Sequence, residues 1–421
     1  MRFLPRALAG RPRPVLSAIA ALVTMMALVG PASALPFGSF SPRAQAMGGA
    51  VVASGTANDA AFGNPALLAV RQQHDHFALA FPIVTAEAAN VRDFRDKLDA
   101  VQSAYDRVNS TIQACSNGSA CSGSARSAAV AALQQLDSSL AAIDGEPVEG
   151  DLFAGLSVGV PGKTAGVAVF VDSRIVGDAV AHYDSRDQAQ IQAAEQSIQS
   201  TGTTAANPAN NVYSTGVFRG AMVTEAGLAM AHRFGNLGFG DLSVGVSPKL
   251  QRVQTIDYTD RIDTASFNRK TAKSSTNANV DAGIVDQLGS KWRVGLVGKN
   301  LVSHTYTTDA GNRIRLRPNY RVGVARGSGW LTLAADYDLS TNKSVGGLAG
   351  DTRFLSVGAE FNVLDTLQLR VGMKDNTASG ATFKHAVTGG VGLRVLGVHI
   401  DLAAMKGGRE LGAALQAGLS F

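Results

Sequence analysis

Gly155-Leu-Ser157-Val-Gly159 is the run whose residue types most directly suggest a reaction, because G-x-S-x-G exposes a nucleophilic serine at a sharp strand-to-helix turn. Here Leu156, Val158 and Val160 alternate with small residues on both sides of Ser157, so the serine falls inside a strand and lacks that turn. Gly162-Lys163-Thr164 matches the end of a phosphate-binding loop, but Ser157 stands where the upstream glycine is required and no helical pattern follows. The seven histidines are scattered outside any H-E-x-x-H helix. His74 and His76 would place two imidazoles on one strand face without a third ligand. Cys115 and Cys121 do not form a C-x-x-C pair, which removes redox catalysis, and no His pair accompanies them for zinc. Neither an enzyme, a cofactor nor a bound metal is expected.

The elements around these residues belong to a different class of protein. Arg2, Arg6, Arg11 and Arg13 precede an apolar stretch from Val15 to Val29 and an Ala32-Ser33-Ala34 tripeptide, the pattern of a secretory signal at 1–34. Those arginines account for four of the five net positive charges, leaving about +1 for the mature chain and no footprint for nucleic acid. Export to an oxidising compartment makes a local disulfide between Cys115 and Cys121, six positions apart, the natural pairing. No later segment reaches the roughly 18 uninterrupted apolar residues of a transmembrane helix. Abundant glycine (46 residues) and only 17% charged residues suit many short strands and turns.

Alternation is clearest from Leu411 to Phe421, where Leu411, Ala413, Leu415, Ala417, Leu419 and Phe421 share one face and Gly412, Gln416, Gly418 and Ser420 the other. Such a strand ending on an aromatic resembles the assembly signal of bacterial outer-membrane barrels. Similar segments are expected near 74–84, 150–160, 164–174, 222–234, 238–254, 276–288, 291–301, 317–327, 329–340, 351–361, 366–374, 382–395, 397–406 and 409–421. Fourteen is an even number, and every second connection is short, as in outer-membrane barrels with periplasmic turns and long outer loops. Leu367, Leu369, Val371 and Met373 should face lipid; Arg370, Lys374, Lys384, Arg394, His399, Asp401, Asp336 and Asp338 should give a mixed-charge lumen. The expected fold is therefore all-β, a 14-stranded antiparallel transmembrane β-barrel occupying 74–421, with outer-membrane lipid around it.

The first long loop, an insertion at 86–149, changes period. Val91, Phe94, Leu98, Val101, Tyr105, Val108 and Ile112 recur at helical spacing, and so do Val130, Leu133, Leu136, Leu140 and Ile143. This predicts a helical hairpin at 87–143 with the cysteines at its turn, and Ala189, Ile191, Ala194 and Ile198 predict a third helix.

Arg43-Ala-Gln-Ala-Met47-Gly48-Gly49-Ala50, followed by Asn64-Pro65-Ala66, resembles the N-terminal plug of the FadL-like long-chain fatty acid transporter superfamily. Ala154-Gly-Leu-Ser-Val-Gly-Val-Pro161-Gly-Lys, Ser247-Pro-Lys-Leu-Gln-Arg252-Val, Trp292-Arg-Val-Gly-Leu-Val-Gly-Lys-Asn300-Leu and Gly397-Val-His-Ile-Asp-Leu-Ala-Ala404 are similar to the outer-membrane conjugal transfer protein TraF family. The resemblance implies a luminal plug (hatch) at 35–73, outer-membrane localisation in a Gram-negative bacterium, and a passive channel for hydrophobic or amphipathic small molecules such as a fatty-acid-like ligand. Met47, Gly48, Gly49, Phe62, Asn64, Pro65, Ala66 and Leu67 would line or move the path. In the fatty acid transporters the ligand leaves sideways at a distorted third strand; here the strand-interrupting residue is Pro248, in the fifth, where either a lateral opening or a bulge close to the membrane edge is expected. The alternative is a structural or partner-binding envelope component of a mating-pair apparatus, with a protein partner at the 87–143 hairpin. That reading requires an apolar stripe on the hairpin beyond what its helices bury together.

Overall fold

Alternating side chains build fourteen strands: β1 Ala78–Ala89, β2 Val148–Val160, β3 Ala165–His182, β4 Thr215–Asn236, β5 Asp241–Arg261, β6 Lys273–Leu288, β7 Trp292–Lys299, β8 Asn319–Gly327, β9 Leu331–Asp338, β10 Phe354–Val363, β11 Leu367–Asn376, β12 His385–Val395, β13 Val398–Gly407 and β14 Glu410–Ser420. In this computed structural model, which describes residues 35–70, 76–116, 120–204, 207–236, 240–262, 272–364 and 366–421 and the backbone of Ala32–Ser33, they pair with their sequence neighbours. β14 returns antiparallel to β1 and closes the barrel, so no strand of the wall is left with unpaired backbone towards lipid. The expected signal segment lies outside the described residues apart from Ala32–Ser33, and so does His74.

The wall obeys its pattern. Leu367, Leu369, Val371 and Met373 are exposed on the outside, whereas Arg370 and Lys374 are buried inside. At the end carrying the short turns, Trp292, Trp330, Phe361, Phe234 and Phe421 stand exposed, an aromatic girdle at one membrane interface. Phe421 stacks on Phe77 at 5.3 Å, and its carbonyl accepts from His76 N (2.6 Å) and Phe77 N (2.9 Å), which pins the last strand to the first. The molecule is an outer-membrane β-barrel. No helix among the described residues is long and apolar enough to cross a membrane.

Three strands outrun their expected ends. β3 continues to His182, β4 begins at Thr215 and β5 reaches Arg261. Their outer halves carry Gly177, Ala179, Gly216 and Gly220 on the outward face, so the contrast that marks a strand fades while the backbone pairing continues. β1 is also shifted, running from Ala78 to Ala89. Lys384 was expected in the lumen but sits exposed just before β12, one residue outside the alternation.

Short helices and a coil, α1 Pro42–Ala46, α2 Ala57–Ala60 and a 3₁₀ turn Pro65–Ala69, fill the lumen as a plug whose residues are almost all buried. The long loops build a cap from α3 Val91–Ser116, α4 Gly123–Ile143 and α5 Ser185–Thr201. Val101, Tyr105, Val108 and Ile112 of α3 meet Leu133, Leu136, Leu140 and Ile143 of α4, and Ile191, Ala194 and Ile198 of α5 complete the cluster. Cys115 and Cys121 are bonded at the α3–α4 turn. A second outer loop folds as a hairpin, His304–Thr307 with Arg313–Leu316, whose Tyr306, Ile314 and Leu316 turn into the mouth of the barrel against Leu35 and Val176.

Candidate functional site

What fits the plug into the barrel is an inner face of glycines. A side chain at Gly295 would meet the carbonyl oxygen of Val52 at 2.8 Å, and one at Gly358 would meet the backbone of Met47 at 2.6 Å. Gly283 faces the Asn64 amide and Gly372 the nitrogen of Gly48 just as closely. Each omitted side chain lets the plug backbone lie on the wall.

Polar groups then fix the plug in place. The Asp336 carboxylate accepts from Val51 N (2.7 Å) and Val52 N (2.9 Å). Thr388 Oγ1 donates to the Ala46 carbonyl (2.8 Å) and accepts from Gly48 N (3.0 Å). Arg43, on the plug, forks onto Glu360 at 2.9 and 3.0 Å, and Glu360 also binds Arg370, which reaches Asp401 at 2.5 Å. Arg321 pairs with Asp338 at 2.6 Å and donates to the Gly49 carbonyl at 3.2 Å. Lys299 Nζ donates to the Phe62 carbonyl at 2.5 Å and lies 3.6 Å from Asp281. These buried pairs are registry devices: breaking one leaves an uncompensated charge, which is strongly destabilising.

Through this polar interior runs one apolar seam. Phe37 and Phe40 of the plug lie 5.8 Å apart; Phe40 contacts Phe153 of β2 at 5.2 Å, Phe153 contacts Phe62 at 5.3 Å, and Phe62 contacts Phe170 of β3 at 5.6 Å. Phe37 borders an outer void of about 50 Å³ below the loop Ser344–Thr352, together with Phe354, Phe383, Val176 and Glu149. Phe40 and Phe62 border a second void of about 30 Å³ beside Lys249, Lys299 and Asp172. Beneath the plug, towards the short turns, opens a polar vestibule of about 510 Å³ lined by Arg43, Asp59, Glu360, Arg370, His399 and Asp401. The barrel thus holds two small voids bordered by the linked phenylalanines above one wide polar vestibule.

The residues singled out in sequence divide between opposite walls. Met47, Gly48 and Gly49 pack against β8 to β12, while Phe62, Asn64, Pro65, Ala66 and Leu67 pack against β2 to β7. Of these Phe62 borders one of the three voids just described; Met47 and Leu67 are fully buried in packed clusters. Gly48 and Gly49 have φ of +71° and +96°, and their role is close approach in a fixed turn. Asn64 caps the 3₁₀ turn, accepting from Ala66 N at 3.1 Å and donating to Val52 O at 3.0 Å, and Pro65 opens that turn. Ser157 is buried in β2 and paired across from Phe170, well away from any turn.

Pro248 lies inside β5 with its register to β6 unbroken, opposite Val280. Towards β4 the pairing skips Leu228 and Ala229 but resumes in the same register at Met230–Val246. The register shifts instead around Phe81-Pro82 in β1, where Ala80 and Ile83 change step with both neighbouring strands. The phenylalanine seam was missed because Phe37 and Phe40 lie in an irregular segment; the inward phase of β2 and β3 pointed to Phe153 and Phe170.

The family described as "F plasmid transfer operon, TraF, protein" matches residues 61–338. No curated protein is significantly similar in sequence. Among solved structures, a deltaS2S3 mutant of the TodX monoaromatic hydrocarbon channel superposes with a TM-score of 0.52 at 12% identity, covering 91% of this chain and 99% of that one. The Pseudomonas putida toluene transporter TodX gives 0.50 at 12% identity, with 91% and 99% covered. A Pseudomonas aeruginosa FadL homologue also gives 0.50 at 12%, with 93% and 100% covered. At these identities the likeness is one of fold.

Proposed function

Since the chain belongs to the family described for the F plasmid transfer operon protein TraF, we propose that it is a FadL-like passive channel of the outer membrane for hydrophobic or amphipathic small molecules. The observation that carries this reading is the seam from Phe37 to Phe170, which links the two small voids past the buried charge pairs of the lumen. An apolar body can move along rings that a hydrated ion cannot, and edge-to-face rings yield in small steps because each pair contributes only about 0.5–1.5 kcal/mol beyond its burial. In this reading residues 1–34 are a removed leader and 35–73 the hatch, and its glycine seat sets which way it shifts. The β5–β6 register runs unbroken past Pro248, and β4–β5 keeps its register across the skipped Leu228 and Ala229, so we read passage as running along the axis into the vestibule. The similar fold of a monoaromatic hydrocarbon channel and of a toluene transporter is consistent with such passage.

The reading as a partner-binding component of a mating apparatus has less support. Among the large hydrophobics exposed on the described residues, the cap helices contribute only Val91, so the hairpin offers no apolar stripe. The test is uptake of a small aromatic probe, toluene, by the barrel reconstituted in liposomes with a lipopolysaccharide outer leaflet, which slows unaided passage of toluene. Uptake well above empty liposomes, reduced several-fold when Phe62 is replaced by aspartate, is the expected result. Uptake equal to that of empty liposomes would refute the channel.

A further inference from the structure

Glu149 of β2 and Asp178 of β3 stand directly opposite each other in the sheet, and both border the outer 50 Å³ void. Like charges directly across a strand pair are destabilising. Neither carboxylate forms an ion pair with a described lysine or arginine, although the void's other two acids do: Glu87 pairs with Lys374 at 2.5 Å and Asp151 with Arg174. Both carboxyls therefore remain without an ion-pair partner in a pocket walled also by Phe37, Val176, Val345, Phe354 and Phe383. The pocket already holds one ammonium of its own, since Lys374 Nζ sits 4.3 Å from the Phe354 ring centroid and 5.2 Å from that of Phe383. Thr352, only 4% exposed and bordering the same void, has a hydroxyl with no hydrogen-bond partner.

We propose that this outer luminal pocket binds a small hydrophobic ammonium, an amine carried on an aryl or alkyl body. The ammonium would lie between Glu149 and Asp178 with Thr352 Oγ1 as a further acceptor, and the body, too large for the 50 Å³ void as it stands, would lie against the phenylalanines once the Ser344–Thr352 cover loosens. A hydrated divalent metal gains nothing from those apolar walls, and a carboxylate ligand would meet two unpaired carboxyls where an ammonium finds acceptors. Asp178 at present accepts from Ser344 Oγ and from Gly346 N (3.0 Å), so an incoming ammonium competes with the Ser344–Thr352 loop for the same oxygens and loosens that cover as it binds. The inference deepens the channel reading and rests on it for the direction of travel, but the pocket can be tested without transport.

Calorimetry on the purified full-length barrel in detergent would compare 2-phenylethylammonium, 2-phenylethanol, 3-phenylpropionate and calcium. The ammonium should bind at least tenfold more tightly than the alcohol or the carboxylate. Glu149→Gln should remove most of that preference, and Thr352→Val should weaken it several-fold, with folding of each variant checked by its migration as an unheated barrel on a gel. Equal affinity for the three organic probes, a preference for the carboxylate, or binding of calcium alone would overturn the proposal. Liposome uptake of the same probes separates the two ideas. Selective ammonium binding without any uptake keeps the site and removes the channel, whereas uptake of all three at one rate keeps the channel and removes the site's selectivity.

Discussion

Gly358 shows at the scale of one residue how the lumen is closed. Its missing side chain would occupy space taken by the Cα, Cβ and carbonyl oxygen of Met47, mostly backbone that no rotamer change can move. Gly358→Ala should therefore lift the Met47 turn from the wall, at a cost of about 1–3 kcal/mol for overpacking. The neighbouring anchors at Thr388 and Asp336 would lengthen with it. The expected outcome is a lower thermal midpoint together with faster uptake of toluene; a variant as stable and as tight as the parent would show that the plug has slack at this point. None of this was readable in the sequence. Met47, Gly48 and Gly49 stood out by resemblance to a plug motif, but the glycine that receives them is more than 300 positions away, on a strand whose own pattern asked only for a small inward residue.

Elements explain what the sequence did reveal. Period two was enough to find all fourteen strands, because a strand between lipid and a polar lumen must alternate along its whole length. Where β3 to β5 rise past that contrast, their ends were placed short. The cap helices were legible for the same reason, since α3 and α4 bury one stripe each. How the cap sits on the barrel was not legible, because that depends on isolated charges. Glu146, between α4 and β2, accepts from Lys97 of α3 at 3.0 Å and from Asn90 at 3.2 Å, with Arg409 of the β13–β14 turn 3.5 Å away. The hydrogen bond from Lys97 holds the Glu146 carboxyl below its ordinary value of 4.5, against a smaller opposing effect of burial. A carboxylate depressed on folding contributes stability that is complete above its unfolded pKa and is lost as pH falls through the folded one. Protection of the first turn of α3 against hydrogen exchange, corrected for intrinsic rates, should therefore be flat above about pH 5 and decline below about pH 4. In Glu146→Gln the same protection should be low and independent of pH over that range. An identical acid-induced decline in the variant would assign the effect to another group.

For the molecule as a whole, the decisive property is that the wall closes without help from the cap. Ala89 at the end of β1 lies opposite Glu149 at the start of β2, so the strands on either side of the helical hairpin already meet in register where the hairpin leaves them. A short turn can join them, and shortening a surface connection costs little loop entropy. Replacing Val91–Ile143 by a Gly-Ser turn should leave a barrel that still migrates as a folded species when unheated. The remaining losses are the contacts of α5 with α4 and the ion pairs of Lys97 with Glu146 and of Asp93 with Arg409. If the chain is a channel governed by its plug, the shortened barrel should take up toluene at the parental rate or faster, because every plug anchor from Thr388 to Lys299 is retained. If the hairpin is the working part, uptake will be negligible in both proteins and the shortened one alone will fail to assemble with whatever envelope component the parent holds. The two readings thus assign opposite consequences to one deletion, and that deletion leaves both the phenylalanine seam and the Glu149–Asp178 pair in place.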